Sequence, residues 1–260
     1  MAFRNLMAKL GAGNASVDTL LDSPVTTPGG TVTGTVHLTG GTVAQDIAEC
    51  RVSLQARVEV ESGDSEWKED VVFGTAVVAG AGRIEPGVRA AVPFAFPVPW
   101  QCPFTAVDGW TLRGVAIGLR TRVDIPGGSD PGDLDAVTVE PLPVQRTVLQ
   151  ALTGLGFAFR GADVEKGRLA GSDLPFYQEV EFAPPSSLRG RVNELEVTFL
   201  ASPRGVEVVL EVDRRGGLFT EGRDAFGRFT VDHATVDRVD WAAQLDGWLR
   251  QSLQRRGLFS

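Results

Sequence analysis

The chain has 260 residues, 43% of them hydrophobic, and a net charge of −8. That is enough apolar material to bury real cores, so disorder is excluded as the default, and the length suits one large β domain or two ordinary ones. The positive residues are scattered, which excludes nucleic acid as an expected partner, and the acidic balance gives no pull toward anionic lipid.

Two cysteines, Cys50 and Cys102, are too few for a disulfide framework and lie at apolar positions, where they read as small buried hydrophobes. No run of about 18 apolar residues exists to span a membrane. Met1–Leu10 is too short and too mixed for a secretory core. A soluble protein of the cytoplasm is the consistent expectation.

In chain order, Phe3, Leu6, Met7 and Leu10 fall at i, i+3, i+4 and i+7, one stripe of a short helix ended by Gly11 and Gly13. It would dock on its own sandwich or, alternatively, touch a lipid surface. Val17–Leu21 reads as an edge strand. Pro28-Gly29-Gly30 then launches a strand in which Val32, Gly34, Val36 and Leu38 alternate with Thr31, Thr33, Thr35 and His37, closed by Gly40-Gly41. One buried and one wet face is the habit of an antiparallel sandwich sheet, and Gly34 leaves room for a facing backbone or a large ring. Cys50, Val52, Leu54, Ala56, Val58 and Val60 give the cleanest strand signal, and Trp67–Val78 returns beside it after a turn.

Val92–Trp100 alternates apolar bulk with prolines. Proline cannot donate to a ladder, so the segment belongs at an edge or a crossing between sheets. Phe94, Phe96 and Trp100 are its candidate partner-binding residues. Trp110–Ile125 changes parity part-way, which a bulge near Arg113-Gly114 would reconcile. Ile125–Asp135, rich in Pro, Gly and Asp, is the strongest break, and Ala136–Val139 is a last strand. Pro141-Leu142-Pro143 marks a boundary, giving domains 1–141 and 142–260.

Val144, Val148, Leu149, Leu152 and Leu155 follow at helical spacing, with Pro143 at the start. Strands are predicted around Phe176–Phe182, Leu195–Phe199, Val206–Val212 and Phe226–Val231. A closing helix carries Trp241, Leu245, Trp248, Leu249 and Leu253 on one face, with Asp240 as N-cap.

Chemistry is sparse. The two histidines, His37 and His233, satisfy no zinc spacing, and no nucleophile elbow, phosphate loop or His-Glu-x-x-His occurs. No cofactor or metal is therefore expected. Asp130, Asp133 and Asp135, with Asp124 upstream, could hold calcium, although their spacing does not match an EF-hand loop. They could instead pair with Arg120 and Arg122 in a charged network at the domain junction, or form a solvated loop. Glu179, Glu181, Glu194 and Glu196 read as wet faces of antiparallel strands rather than glycosidase carboxylates.

Taken in order, these motifs resemble the bacterial sporulation-control (SpoOM-type) family. The likeness is carried by the opening helix with Gly11-Ala12-Gly13, Val17-Asp18-Thr19, the Pro28-Gly29-Gly30 strand and Asp130–Asp135. In the second half Gln150–Phe157, Leu174–Phe182, Glu194–Val197 and Leu210–Arg215 carry it. The resemblance implies a mostly β fold, two tandem antiparallel arrestin-like β-sandwiches with a few short helices. It also implies a non-enzymatic regulator or scaffold acting through protein partners, with dimers in some members. A small-ligand or carbohydrate-binding sandwich with a calcium loop, and a peripheral membrane protein using its N-terminal helix, stand as alternatives.

Overall fold

The computed structural model describes residues 14–62, 65–214 and 225–254. The predicted N-terminal helix lies outside them. The first part of the chain forms β1 (Ser16–Leu21), β2 (Val25–Thr26), β3 (Thr31–Thr39), β4 (Gln45–Ile47), β5 (Glu49–Ser62) and β6 (Ser65–Ala79). It continues with β7 (Gly82–Ile84), β8 (Arg89–Pro97), β9 (Ala106–Val107), β10 (Trp110–Thr111), β11 (Ile117–Asp124) and β12 (Gly132–Val139). Helix α1 (Pro143–Gly154) leads into β13 (Ala158–Lys166), β14 (Phe176–Ala183), β15 (Val192–Ala201), β16 (Gly205–Arg214) and β17 (Ala225–Asp232). A 3-10 turn (His233–Arg238) and α2 (Trp241–Gln254) follow.

These elements gather into two compact units. The first takes the chain up to Arg57, Asp70–Pro99 and Ala116–Val139; the second takes Val58–Glu69, Trp100–Val115 and the chain from Glu140 on.

In the first unit β3 lies between β1 and β8, all antiparallel. The second layer pairs β11 with β5 and β12, while β2 adds parallel to β12. The alternation read from the sequence holds. Val32, Val36 and Leu38 of β3 face inward, as do Cys50, Val52, Leu54 and Ala56 of β5 and Leu119 and Val123 of β11. Gly34 makes room as expected, because a Cβ there would stand 2.5 Å from the Leu20 carbonyl oxygen on the neighbouring strand and 3.1 Å from the Phe94 ring. Layer contact is also polar at one buried point, where the Thr19 and Thr121 hydroxyls meet at 2.7 Å.

In the second unit β13 to β17 run as an antiparallel meander. Phe176, Val180, Phe182, Leu195, Val197 and Leu210 form its buried face. Helix α1 begins at Pro143, with the Leu142 N–H bonded back to the Gln145 side chain at 2.7 Å, and buries Val144, Val148, Leu149 and Leu152. Helix α2 starts at the predicted cap, Asp240 accepting the Ala243 N–H at 3.0 Å, and buries Trp241, Leu245, Leu249 and Leu253.

Two segments depart from the sequence reading. Trp110–Ile125 is not one bulged strand: Trp110-Thr111 pairs with β9, Leu112 turns its N–H to Thr105 at 2.8 Å, and β11 starts afresh at Ile117 with β5 and β12 as partners. The parity change is a change of sheet. Strand β12 also begins at Gly132, so Asp133 and Asp135 sit on a strand rather than in the turn.

Candidate functional site

All six predicted charged residues fall in the first unit. Arg122 and Asp130 form an ion pair, and the Asp130 carboxylate also accepts the Ile125 N–H at 3.0 Å. The backbone bond first, then the Arg122 bond, hold Asp130 below the usual carboxylate range. Arg120 instead donates to Gln55 at 3.3 Å, and Asp124 faces Arg51 at 3.6 Å. Asp133 accepts the Thr19 backbone N–H at 2.7 Å. One Asp135 oxygen is buried without a hydrogen-bond partner, and burial followed by Asp133 and Asp18 raises its pKa. Of the six, Asp130 is thus bonded to Arg122 and to the Asp124 side chain.

The predicted partner edge has a specific construction. Phe94 and Phe96 point into the core, and the Trp100 ring lies 5.7 Å from that of His233. Val98 donates its N–H to Gly30, beside β3, at 2.9 Å. By alternation the backbone nitrogens of Pro93, Ala95 and Pro97 face outward, and two of these three carry no hydrogen. At the opposite edge Asp22 donates to Thr33 at 3.0 Å, so the Thr19 N–H faces outward, where Asp133 takes it. Prolines on one side and a carboxylate on the other blunt both edges of this sheet against strand addition.

Carboxylates do gather elsewhere. The outer face of the β13–β16 meander carries Asp163, Glu179, Glu181, Glu194, Glu196 and Glu211. Register sets Glu196 directly opposite Glu181 on one side and Glu211 on the other. Glu179, Glu196 and Glu211 offer oxygens within 4.8 Å of one another, the one such group of three among the described residues. Such a group can hold a cation or keep protons. Burial, then Glu196 and Asp163, pushes Glu179 up to about 8. Burial, then Glu211, pushes Glu196 up to about 7. Asp163 rises to about 8 through burial and its bond with Glu181. Proton retention near neutrality is therefore built into this face. The sequence reading saw wet strand faces here; crowding leaves these groups half-buried instead.

The second unit also holds an open apolar cavity of about 410 Å³. Its walls are Val107, Trp110 and Leu112 around the β9–β10 hairpin, Leu149, Gln150 and Thr153 of α1, Phe159 of β13, and Val180 and Phe182 of β14. Asp108 and Gly109 turn the hairpin at φ +50° and +80°, the left-handed pair that a two-residue Asp-Gly turn favours. This turn leaves Trp110 81% exposed, and Phe159 is 48% exposed. Asp108, the one ionisable wall residue, is paired with Arg146 at 3.0 Å. The Asp-Gly dipeptide was the sequence signal that could have located the hairpin; the cavity itself needs four elements brought together.

The fold is mostly β with few helices, and it is arrestin-like. The chain belongs to the SpoOM protein family, whose model matches residues 3–216. It is similar to the sporulation-control protein spo0M of Bacillus subtilis (strain 168), 38% identical over 214 residues that make up 82% of this chain and 81% of that protein. The crystal structure of Spo0M, sporulation control protein, from Bacillus subtilis matches with a TM-score of 0.81 at 32% identity, covering 92% of this chain and 99% of that one. The family is one of regulatory proteins. Among the described residues no helix is long and apolar enough to cross a membrane.

Proposed function

We propose that this chain is a non-enzymatic regulatory protein of the cytoplasm that acts by docking another protein on its second unit. The carrying observation is Trp110, 81% exposed on a tight turn at the mouth of an open apolar cavity. Burying an exposed indole beside a preformed pocket is how a few residues come to carry most of an interface's energy. The blunted edges of the three-stranded sheet favour this surface over strand addition.

The test is capture from native cell extract with tagged full-length protein, wild type beside Trp110→Ala, read by quantitative mass spectrometry. The reading expects at least one protein held stoichiometrically by the wild type and reduced about tenfold or more by the variant. The melting temperature should not change, since the lost ring is exposed. Equal capture by both proteins would overturn it.

A further inference from the structure

We infer that Arg146 is a positioning residue: its guanidinium clamps the Asp108 turn to α1 and so fixes where the β9–β10 hairpin holds Trp110. The inference deepens the docking reading above, on which it rests for the use of the clamp. The hairpin has little else to hold it in place. Strands β9 and β10 have two residues each and, among the described residues, pair only with one another. A lone two-stranded hairpin is marginally stable in water at best. Its base is secured, since Ala106 and Leu112 are buried and the Leu112 N–H meets the Thr105 carbonyl at 2.8 Å. Its tip is not packed: Asp108, Gly109, Trp110 and Thr111 are exposed, and the open cavity separates the hairpin from Leu149, Gln150 and Thr153 of α1.

Arg146 reaches that tip. Its Nε stands 3.0 Å from Asp108 Oδ1, and its Nη2 donates to Glu140 Oε2 at 3.4 Å. The residue sits in the first turns of α1, where its own N–H is bonded to the Leu142 carbonyl at 3.0 Å, so the root of the clamp is helix backbone. Glu140, the least exposed of the three charged groups, holds the far side of the guanidinium and aims it. One guanidinium can serve two carboxylates because its donors are fixed in a rigid planar fork. At the other end the carboxylate is carried by the turn itself, Asp108 at φ +50° and Gly109 at +80°. Register sets Val107 opposite Trp110 directly after that turn, so what restrains Asp108 restrains the residue bearing the indole. An anchor already held in place loses less freedom when a partner covers it. The pair is half-exposed, so salt loosens it.

The test reads solvent exchange of the Trp110 backbone amide by NMR, in the full chain labelled with nitrogen-15 tryptophan. The chain has 5 tryptophans, and the amide signal lost in Trp110→Phe is that of Trp110. By alternation from the Thr105–Leu112 bond, this N–H is bonded to Val107 and exchanges when the hairpin opens. Arg146→Ala is expected to speed that exchange about threefold to fivefold, the worth of an exposed ion pair, and to leave the other tryptophan amides unchanged. Raising salt from about 0.1 M to about 1 M should speed the wild type by a similar factor and the variant much less. In an Asp108→Asn background, which keeps a residue favoured at this turn, Arg146→Ala should add nothing. Trp110 exchange that ignores Arg146→Ala, or that quickens as much in the Asp108→Asn background, would overturn the clamp. Faster exchange at every tryptophan amide would make Arg146 a residue of general stability and overturn it too. Partner capture is a separate readout. If capture ignores Trp110→Ala while Arg146→Ala still frees the amide, docking at this site falls and the clamp stands; if capture needs Trp110 but exchange ignores Arg146, the clamp alone falls.

Discussion

Gln178 and Glu179 are neighbours on β14 that face opposite ways, and each answers to its own environment. Gln178 lies in the core, where it accepts the Phe104 N–H at 3.0 Å and donates to the Phe104 carbonyl at 2.8 Å, standing in for a strand partner. Gln178→Leu keeps the bulk and leaves two buried backbone groups unpaired, at about 1–3 kcal/mol each. Urea unfolding should therefore show a loss of about 2–6 kcal/mol; a loss below about 1 kcal/mol would mean that the amide is not holding this segment. Glu179 lies on the crowded outer face, its pKa raised from 4.5 to about 8. The folded protein binds that proton more tightly than the unfolded chain does. The stability it confers is full below about pH 4.5 and is lost as pH rises to about 8. Glu196 adds a similar loss ending near pH 7. The melting temperature should fall between pH 5 and pH 8. Glu179→Gln should flatten that fall and raise the midpoint at pH 8 by about 2–4 °C, the response of a chain this size to roughly 1 kcal/mol. A wild-type midpoint that rises over this interval would contradict the assignment.

Among the elements, β1 and β8 show how a sheet edge is closed without a neighbour. Asp133→Ala removes a charge-assisted bond to the Thr19 N–H, worth about 1.5–3 kcal/mol, and opens the outer edge of β1. Light scattering on warming should then appear at lower temperature and depend on concentration, whereas Asp133→Asn, which keeps an acceptor, should stay close to the wild type. The strands with strict alternation were legible, because β3 and β5 bury one side chain in two along most of their length. Strand β13 was not. Its register shifts between Phe159 and Gly161, and the shift erases the period that would have announced it. The acidic turn was read as ending at Asp135, yet β12 starts at Gly132, since Thr121 and Arg122 supply pairing partners that the local sequence does not reveal.

At the scale of the whole molecule, order of motifs carried the family and the mostly β fold, while the two clusters on the second unit stayed hidden. Glu179, Glu196 and Glu211 come from three strands and meet only through register; along the chain Glu179 and Glu181 look like an ordinary polar face. The cavity likewise joins residues from Val107 to Phe182. The proton-holding face has one more consequence, for heat rather than for midpoint. Near pH 7 the folded chain carries protons on Asp163, Glu179 and Glu196 that the unfolded chain cannot keep, so unfolding hands them to the buffer. A calorimeter would record that transfer. At matched pH and midpoint the unfolding endotherm should be smaller in Tris, which takes up protons with a large release of heat, than in phosphate, which does so almost athermally.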